Sequence, residues 1–493
     1  MTTPRLAADY NPSMSTTLTQ LKTFGFLLDG RWISEGELHE IRAPYDGEVV
    51  GTVVYGTRKH AEAAIAAAVK AFETTRRLPA YERQRVLRSV ADGLIALRVE
   101  FADVLAREAG KPLKQARAEV ERAISTFQIA AEESTRITGE VLPLDTAPAA
   151  TGRWGIVKRF PLGAISAITP FNFPLNLVAH KLAPAIACGC TVVLKPPPQD
   201  PLSALMLAEV VQQAGWPDGA LNVLTLSNED AAPLITDERI KLLSFTGSSD
   251  AGWELKKKAG KKRVVLELGG NAGCIVHGDA DLKQAADRCV AGGFGYAGQT
   301  CISVQRIFVE RKAMGKFTEH LVEGAAKLKT GDPMDASTDV GPMIREADAI
   351  RAVEWIDEAV AAGAKVLCGG RRNGPFVEPT VLTETKPGMR VNCLEVFAPV
   401  VTVEPYDDFN DALRRVNDSP WGLQAGLFTR DARLIFRAFE ELQVGGVIAG
   451  DIPTWRMDQM PYGGVKDSGL GREGLKYAIE EMTERKLLVM NVQ

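Results

Sequence analysis

The sequence predicts an α/β protein of two parallel-sheet units behind a helical scaffold, and three observations carry that reading. From Gly163 onward, short apolar runs at 164–169, 191–195, 221–226, 241–245 and 263–268 alternate with helical periods, the spacing of right-handed βαβ crossovers. Near residue 279 a second alternation begins. Before both, residues 57–136 show the apolar period of helices without strand-like runs.

In chain order, residues 1–20 are rich in Thr, Ser and Ala with too little Arg for a transit peptide, and read as a flexible extension. Helices are expected from His60 to Arg76, from Ala80 to Ala109 with Gly110 as a stop signal, and from Leu113 to Thr138. The alternating run Gly152 to Pro161 reads as a strand set apart from these helices and in need of a partner sheet. Within the first alternation, helices fall at about 175–187, 200–214 and 248–260, the last opening after Thr246-Gly247-Ser248. The second carries a helix from 279 to about 297, a strand at 304–309, helices at 313–328 and 347–362, and further strands.

Composition narrows the functional classes. A chain of 493 residues with 45% hydrophobic and 24% charged residues can bury a large core. Net charge is −4, and no Lys/Arg run could track a phosphate backbone, which argues against nucleic acid. The lysines at 256–258, 261 and 262 sit where a helix ends, favoured there by the helix dipole. Seven scattered cysteines without a C-x-x-C pair speak against a disulfide framework and for a reducing cytoplasm. Five histidines without ligand spacing give a metal site no support. No apolar stretch reaches the ~18–20 residues that a membrane helix needs.

Three short segments carry the chemistry. The dinucleotide fingerprint G-x-G-x-x-G matches at 293–298 and 469–474, but neither match lies between a strand and a helix, so both read as turn glycines. Phe245-Thr246-Gly247-Ser248, where a strand runs into a helix N-terminus, is the better phosphate site, or else an ordinary cap. Glu267, at a strand end beside Gly269 and Gly270, is either a buried general base or a carboxylate capping a neighbouring helix. Cys301, reached through Gly298-Gln299-Thr300, is a candidate nucleophile; the other six cysteines read as small buried side chains.

As an ordered set these segments resemble the aldehyde dehydrogenase superfamily, from about residue 24 to 489. The match adds Pro170-Phe171-Asn172-Phe173-Pro174, Lys195-Pro196, Glu395-Val396-Phe397-Ala398-Pro399 and Pro461-Tyr462-Gly463-Gly464-Val465-Lys466-Asp467-Ser468-Gly469. The resemblance implies a Rossmann-like NAD(P)-binding domain at 21–140 and 162–267, a catalytic domain at 268–472, and a small β oligomerisation arm at 141–161 and 473–493. It implies Cys301 as nucleophile, Asn172 with the Cys301 N–H as oxyanion donors, and Glu267 as the base that activates water on a thioester. NAD or NADP would lie against Lys195, Gly247, Ser248, Glu395, Phe397, Pro170, Phe171 and Leu268. Lys195 also reads as a surface lysine and Phe397 as ordinary core.

Several positions depart from the common family pattern. Pro198 stands where many NAD-preferring relatives carry a Glu, so no carboxylate there repels a 2′-phosphate. Leu226-Ser227-Asn228 replaces a Gly-x-Gly turn, Phe171 a frequent Trp, and Leu394 and Ala398 a Glu and a Gly.

The segment Asp451 to Met460 is similar to a branch that includes lactaldehyde and phosphonoacetaldehyde dehydrogenases. It places Arg456 by the substrate, with Phe173, Thr300 and Ile302. Arg456 either pairs with an anionic substrate or bonds loop carbonyls; no second cation is evident, and a small aldehyde is expected, hydroxylated ones included. The strands at 152–161 and Lys486–Val492 would pair subunits in a homodimer or homotetramer. Rival readings are a CoA-acylating semialdehyde dehydrogenase, disfavoured by Glu267; a thiol hydrolase, disfavoured by the lack of a motif histidine; and a non-catalytic binding protein of the same fold.

Overall fold

Apolar runs with few turn residues between them leave the chain little choice but to stack strands side by side and cover both faces with helices. In the computed structural model, which describes residues 22–492, the first alternation forms five parallel strands in the order Arg263–Glu267, Ile240–Thr246, Ala164–Ile168, Thr191–Lys195, Leu221–Val223. Gly469–Leu470 adds an antiparallel strand at one edge; Phe26–Leu28 and Arg31–Ile33 extend the other. The second alternation forms a seven-stranded sheet, parallel except for its edge strand Lys365–Cys368. The extension expected at 1–20 lies outside the described residues. No helix among the described residues is long and apolar enough to cross a membrane.

Three expectations need correction. The stretch Ala80 to Ala109 is two helices, Ala80–Ala96 and Arg98–Glu108, broken at Leu97, whose φ of −106° and ψ of 19° are not helical. The buried face stays in helical register across the break through Leu94, Leu97, Phe101 and Leu105, so the apolar period carries no sign of it. The third helix stops at Glu133, before β-branched Thr135, Ile137 and Thr138. Residues 23–55, for which no elements were expected, supply five short strands.

Helix Asn176–Cys188 is buried along its whole length, which places it between the first sheet and helix Leu113–Glu133. The run Arg153–Pro161 finds its partner sheet: it pairs antiparallel with Thr483–Asn491 across nine residue pairs and with Glu140–Pro143. Leu487, Leu488 and Val489 on the outer strand remain about half exposed.

Candidate active site

Three of the segments singled out in the sequence leave the C-terminal ends of neighbouring strands, where α/β sheets hold their ligands. Asn172 follows Ala164–Ile168, Ser248 follows Ile240–Thr246 and caps helix Ser249–Lys258, and Glu267 ends Arg263–Glu267. Cys301 follows helix Leu282–Phe294 through a turn in which Tyr296, Ala297 and Gly298 are all left-handed, with φ of 49°, 52° and 69°. Gly298 is required there: a Cβ would run into the Ala398 carbonyl.

These segments surround one cavity of about 580 Å³. Asn172, Glu267 and Cys301 line it, as do Gly247, Ser248, Leu268, Glu395, Phe397, Pro170 and Phe171, and also Phe173, Thr300, Ile302 and Arg456. Lys195 is not on its wall. It ends strand Thr191–Lys195, is buried, and has its pKa lowered to about 8 by burial. Neither fingerprint match sits between a strand and a helix that it opens onto the cavity: Gly293 lies at the end of a helix, and Gly469 belongs to the short edge strand, while Gly471 and Gly474 are left-handed turn residues with φ of 81° and 92°.

The electrostatics separate the three central groups. Burial pushes the Cys301 thiol up to about 12, partly opposed by the Tyr462 hydroxyl 3.0 Å from Sγ. Glu267 is held well above the usual carboxylate range by burial and by the Glu473 charge, against Arg456, Lys181 and Arg472. Neither of its oxygens has a hydrogen-bond partner, so it does not cap a helix. Glu473, also buried, is held at about 2: Lys181, His180 and Arg456 more than offset the cost of burial. Two acids facing one site are thus driven to opposite protonation states, a pattern suited to acid–base work.

Around Glu395, the Gly270 N–H donates to Oε1 at 2.9 Å, and a Cβ on Gly269 would strike the carboxylate. Burial raises the Glu395 pKa to about 7. Phe397 and Phe171 meet edge to face at 5.9 Å.

Arg456 is not bonded to loop carbonyls. Its guanidinium lies 3.2 Å from Glu473, 3.3 Å from His180 Nε2 and 3.6 Å over the Tyr462 ring, with Nε unpartnered. A second cation, which the sequence did not reveal, does reach the cavity: Arg122 of helix Leu113–Glu133, bonded to Asp458 at 2.6 Å. Tyr462, Glu473 and Lys181 were also missed. Tyr462 stands inside a quoted motif, whereas Lys181 and Glu473 gave no local signal.

Residues 32–488 match the model of the aldehyde dehydrogenase family. The chain belongs to that family. This aldehyde dehydrogenase is 45% identical to the 3-sulfolactaldehyde dehydrogenase of Priestia aryabhattai over 97% of its own length and 100% of the relative's. It superimposes with a TM-score of 0.94 and 46% identity on aldehyde dehydrogenase 21 of Physcomitrella patens in complex with its reaction product succinate, covering 96% of this chain and 99% of that one. The glyceraldehyde-3-phosphate dehydrogenase GapN of Methanocaldococcus jannaschii, complexed with NADP, gives 0.90 at 39% identity, over 93% of this chain and 100% of the other. The fold and the class of reaction are those of an oxidoreductase that takes an aldehyde to the acid with a nicotinamide cofactor.

Proposed function

We propose that this aldehyde dehydrogenase oxidises a small aldehyde bearing an anionic group, with the hydroxylated short-chain aldehydes included, to the carboxylic acid. The observation that carries the chemistry is the convergence of Cys301, Glu267 and Asn172 on one cavity. The Cys301 sulfur adds to the aldehyde carbon while the Asn172 amide and the Cys301 N–H hold the oxyanion, donors worth about 3–4 kcal/mol each. A nicotinamide held against Phe397 and Phe171 would supply the hydride acceptor, and Cys301 would then carry the acyl group as a thioester. Glu267 takes a proton from water, the resulting hydroxide displaces the sulfur, and the acid departs with the thiol restored.

The cofactor reading rests on fit. Gly247 and Ser248, the latter at the N-cap position of a ten-residue helix, line the cavity, and that helix N-terminus suits a pyrophosphate. Glu395 suits a ribose, the Phe397 and Phe171 rings a nicotinamide, and buried Lys195 an adenosine ribose beyond the cavity wall. With Pro198 in place of a carboxylate, NADP is accepted beside NAD.

Arg122 and Arg456 support the anionic substrate, since both guanidinium groups line the same cavity as Thr300 and Ile302; three of the similar proteins carry anionic compounds in their names, sulfolactaldehyde, succinate and glyceraldehyde 3-phosphate, while others are named for lactaldehyde and betaine aldehyde. Arg122→Ala is expected to raise KM for succinic semialdehyde about 10–100-fold, the ~1.5–3 kcal/mol of a charge-assisted hydrogen bond, and that for propanal less than threefold. Equal changes for both aldehydes would refute the assignment.

The first assay is reduced nicotinamide formed from a panel of aldehydes with NAD or NADP. Turnover in water alone supports hydrolysis, whereas turnover only with CoA would establish the acylating alternative. Domain limits at 21–140 with 162–267, 268–472, and 141–161 with 473–493 are supported by the three sheets built mainly from those stretches, although strand Gly469–Leu470 joins the first of them. The half-exposed strand Thr483–Asn491 supports a homodimer or homotetramer, and seven free thiols support a cytoplasmic location.

A further inference from the structure

Asn172 is held from behind by an ion pair that the reaction scheme does not use. Lys111, in the turn after helix Arg98–Glu108, donates from Nζ to the Asn172 carbonyl at 2.7 Å and pairs with Glu119. Glu119 Oε1 accepts from the Leu175 and Asn176 N–H groups at 3.0 and 3.1 Å, closing the first turn of helix Asn176–Cys188. Lys111 and Glu119 are each 1% exposed. The same ammonium lies 4.0 Å from the Phe173 ring centre and 4.4 Å from that of Tyr296, two walls of the cavity. Both ends of the 172–176 segment are therefore tied to one charge pair, Lys111 from the turn before helix Leu113–Glu133 and Glu119 from that helix.

A buried ion pair is a poor device for stability, because removing two charges from water costs about what their attraction returns. What it supplies is geometry. The Asn172 backbone is clamped at its carbonyl and its side-chain amide stays on the cavity side, at a site where an ångström of drift can cost about 100-fold.

We infer that Lys111 and Glu119 are positioning residues for the oxyanion donor Asn172. This rests on the role proposed for Asn172. The test is a double-mutant cycle on the full chain with Lys111→Met, Asn172→Ala and the pair, reading kcat and KM for the aldehyde and for NADP, and the rate at which iodoacetamide alkylates Cys301. Lys111→Met is expected to lower kcat about 10–100-fold with KM for NADP within threefold. The double variant should be no more than threefold slower than Asn172→Ala, because a misplaced donor and an absent one cost the same once. Alkylation, which needs the thiol and not the amide, should stay within threefold of wild type.

Losses that multiply in the double variant, wild-type kcat in Lys111→Met, or alkylation that falls in step with kcat would each overturn the inference. If Lys111→Met does not fold, Glu119→Gln carries the same cycle, with a smaller loss that again vanishes on the Asn172→Ala background. Wild-type activity in Asn172→Ala itself would instead remove the oxyanion role, a failure separate from that of the clamp.

Discussion

Cys301→Ser is expected to lower aldehyde oxidation by on the order of 10⁴-fold or more, the scale on which removing a covalent nucleophile acts. A hydroxyl at that position is a far weaker nucleophile at neutral pH, and no imidazole stands beside it to take its proton; the polar neighbour of Sγ is the Tyr462 hydroxyl. NADP binding should be unchanged, because the groups assigned to the cofactor are untouched. Release of reduced nicotinamide and quenching of protein fluorescence by NADP separate the two properties. Residual activity within tenfold of wild type would place the covalent step elsewhere.

The same thiol gives a pH dependence with a definite sign. With its pKa at about 12, Cys301 is almost wholly protonated at neutral pH, and its thiolate fraction grows about tenfold per pH unit. Alkylation by iodoacetamide of the cofactor-free enzyme should therefore climb steadily from pH 6 to 9 without levelling. A plateau near pH 8 would show a thiol acidified below the ordinary cysteine range and contradict the burial that raises this one.

How much of this site could be read from the sequence depends on where each group sits in the chain. Phe245 to Ser248, Glu267 to Gly270 and Gly298 to Cys301 are strand ends and turns, where a carboxylate, a thiol and clustered glycines, Gly298 among them left-handed, break the local pattern and announce themselves. Lys111, Glu119, Arg122 and Lys181 lie on or beside helices, where a charge every few residues looks like an ordinary solvated face. Only tertiary packing turns that face inward, so no local signal distinguished Arg122 from an exposed arginine. Glu473 was obscured in the same way, inside a run read for its glycines. The break at Leu97 escaped because neither Gly nor Pro marks it and the apolar register runs on through it. Three of the strands at 23–55 are two or three residues long, too short for a period to declare itself, and Glu37–Arg42 is mostly exposed and charged.

Glu267→Gln is expected to lower steady-state turnover about 10²–10⁴-fold, the usual share of a general base, while sparing the first hydride transfer. If the carboxylate acts on water after oxidation, each active site should release one equivalent of reduced nicotinamide in a burst and then stall as the thioester. Trapping with hydroxylamine or detection of the acyl adduct by mass spectrometry would count those sites. An added thiol acceptor should restart the stalled enzyme, which also separates a lost hydrolytic base from a lost fold. The raised pKa of Glu267 places the acid limb of wild-type deacylation above the ordinary carboxylate range, rising with pH as the group ionises; in the glutamine variant that limb should disappear. The linkage to stability runs the opposite way. A carboxyl whose folded-state pKa is raised contributes fully below its unfolded pKa, and that contribution is lost as pH rises through the folded value. Glutamine cannot ionise, so the variant should melt above wild type at pH 8 and close to it at pH 4. A variant that hydrolyses its thioester at the wild-type rate, or that melts below wild type at pH 8, would mean that Glu267 is neither the base nor the destabilised buried charge the cavity makes it.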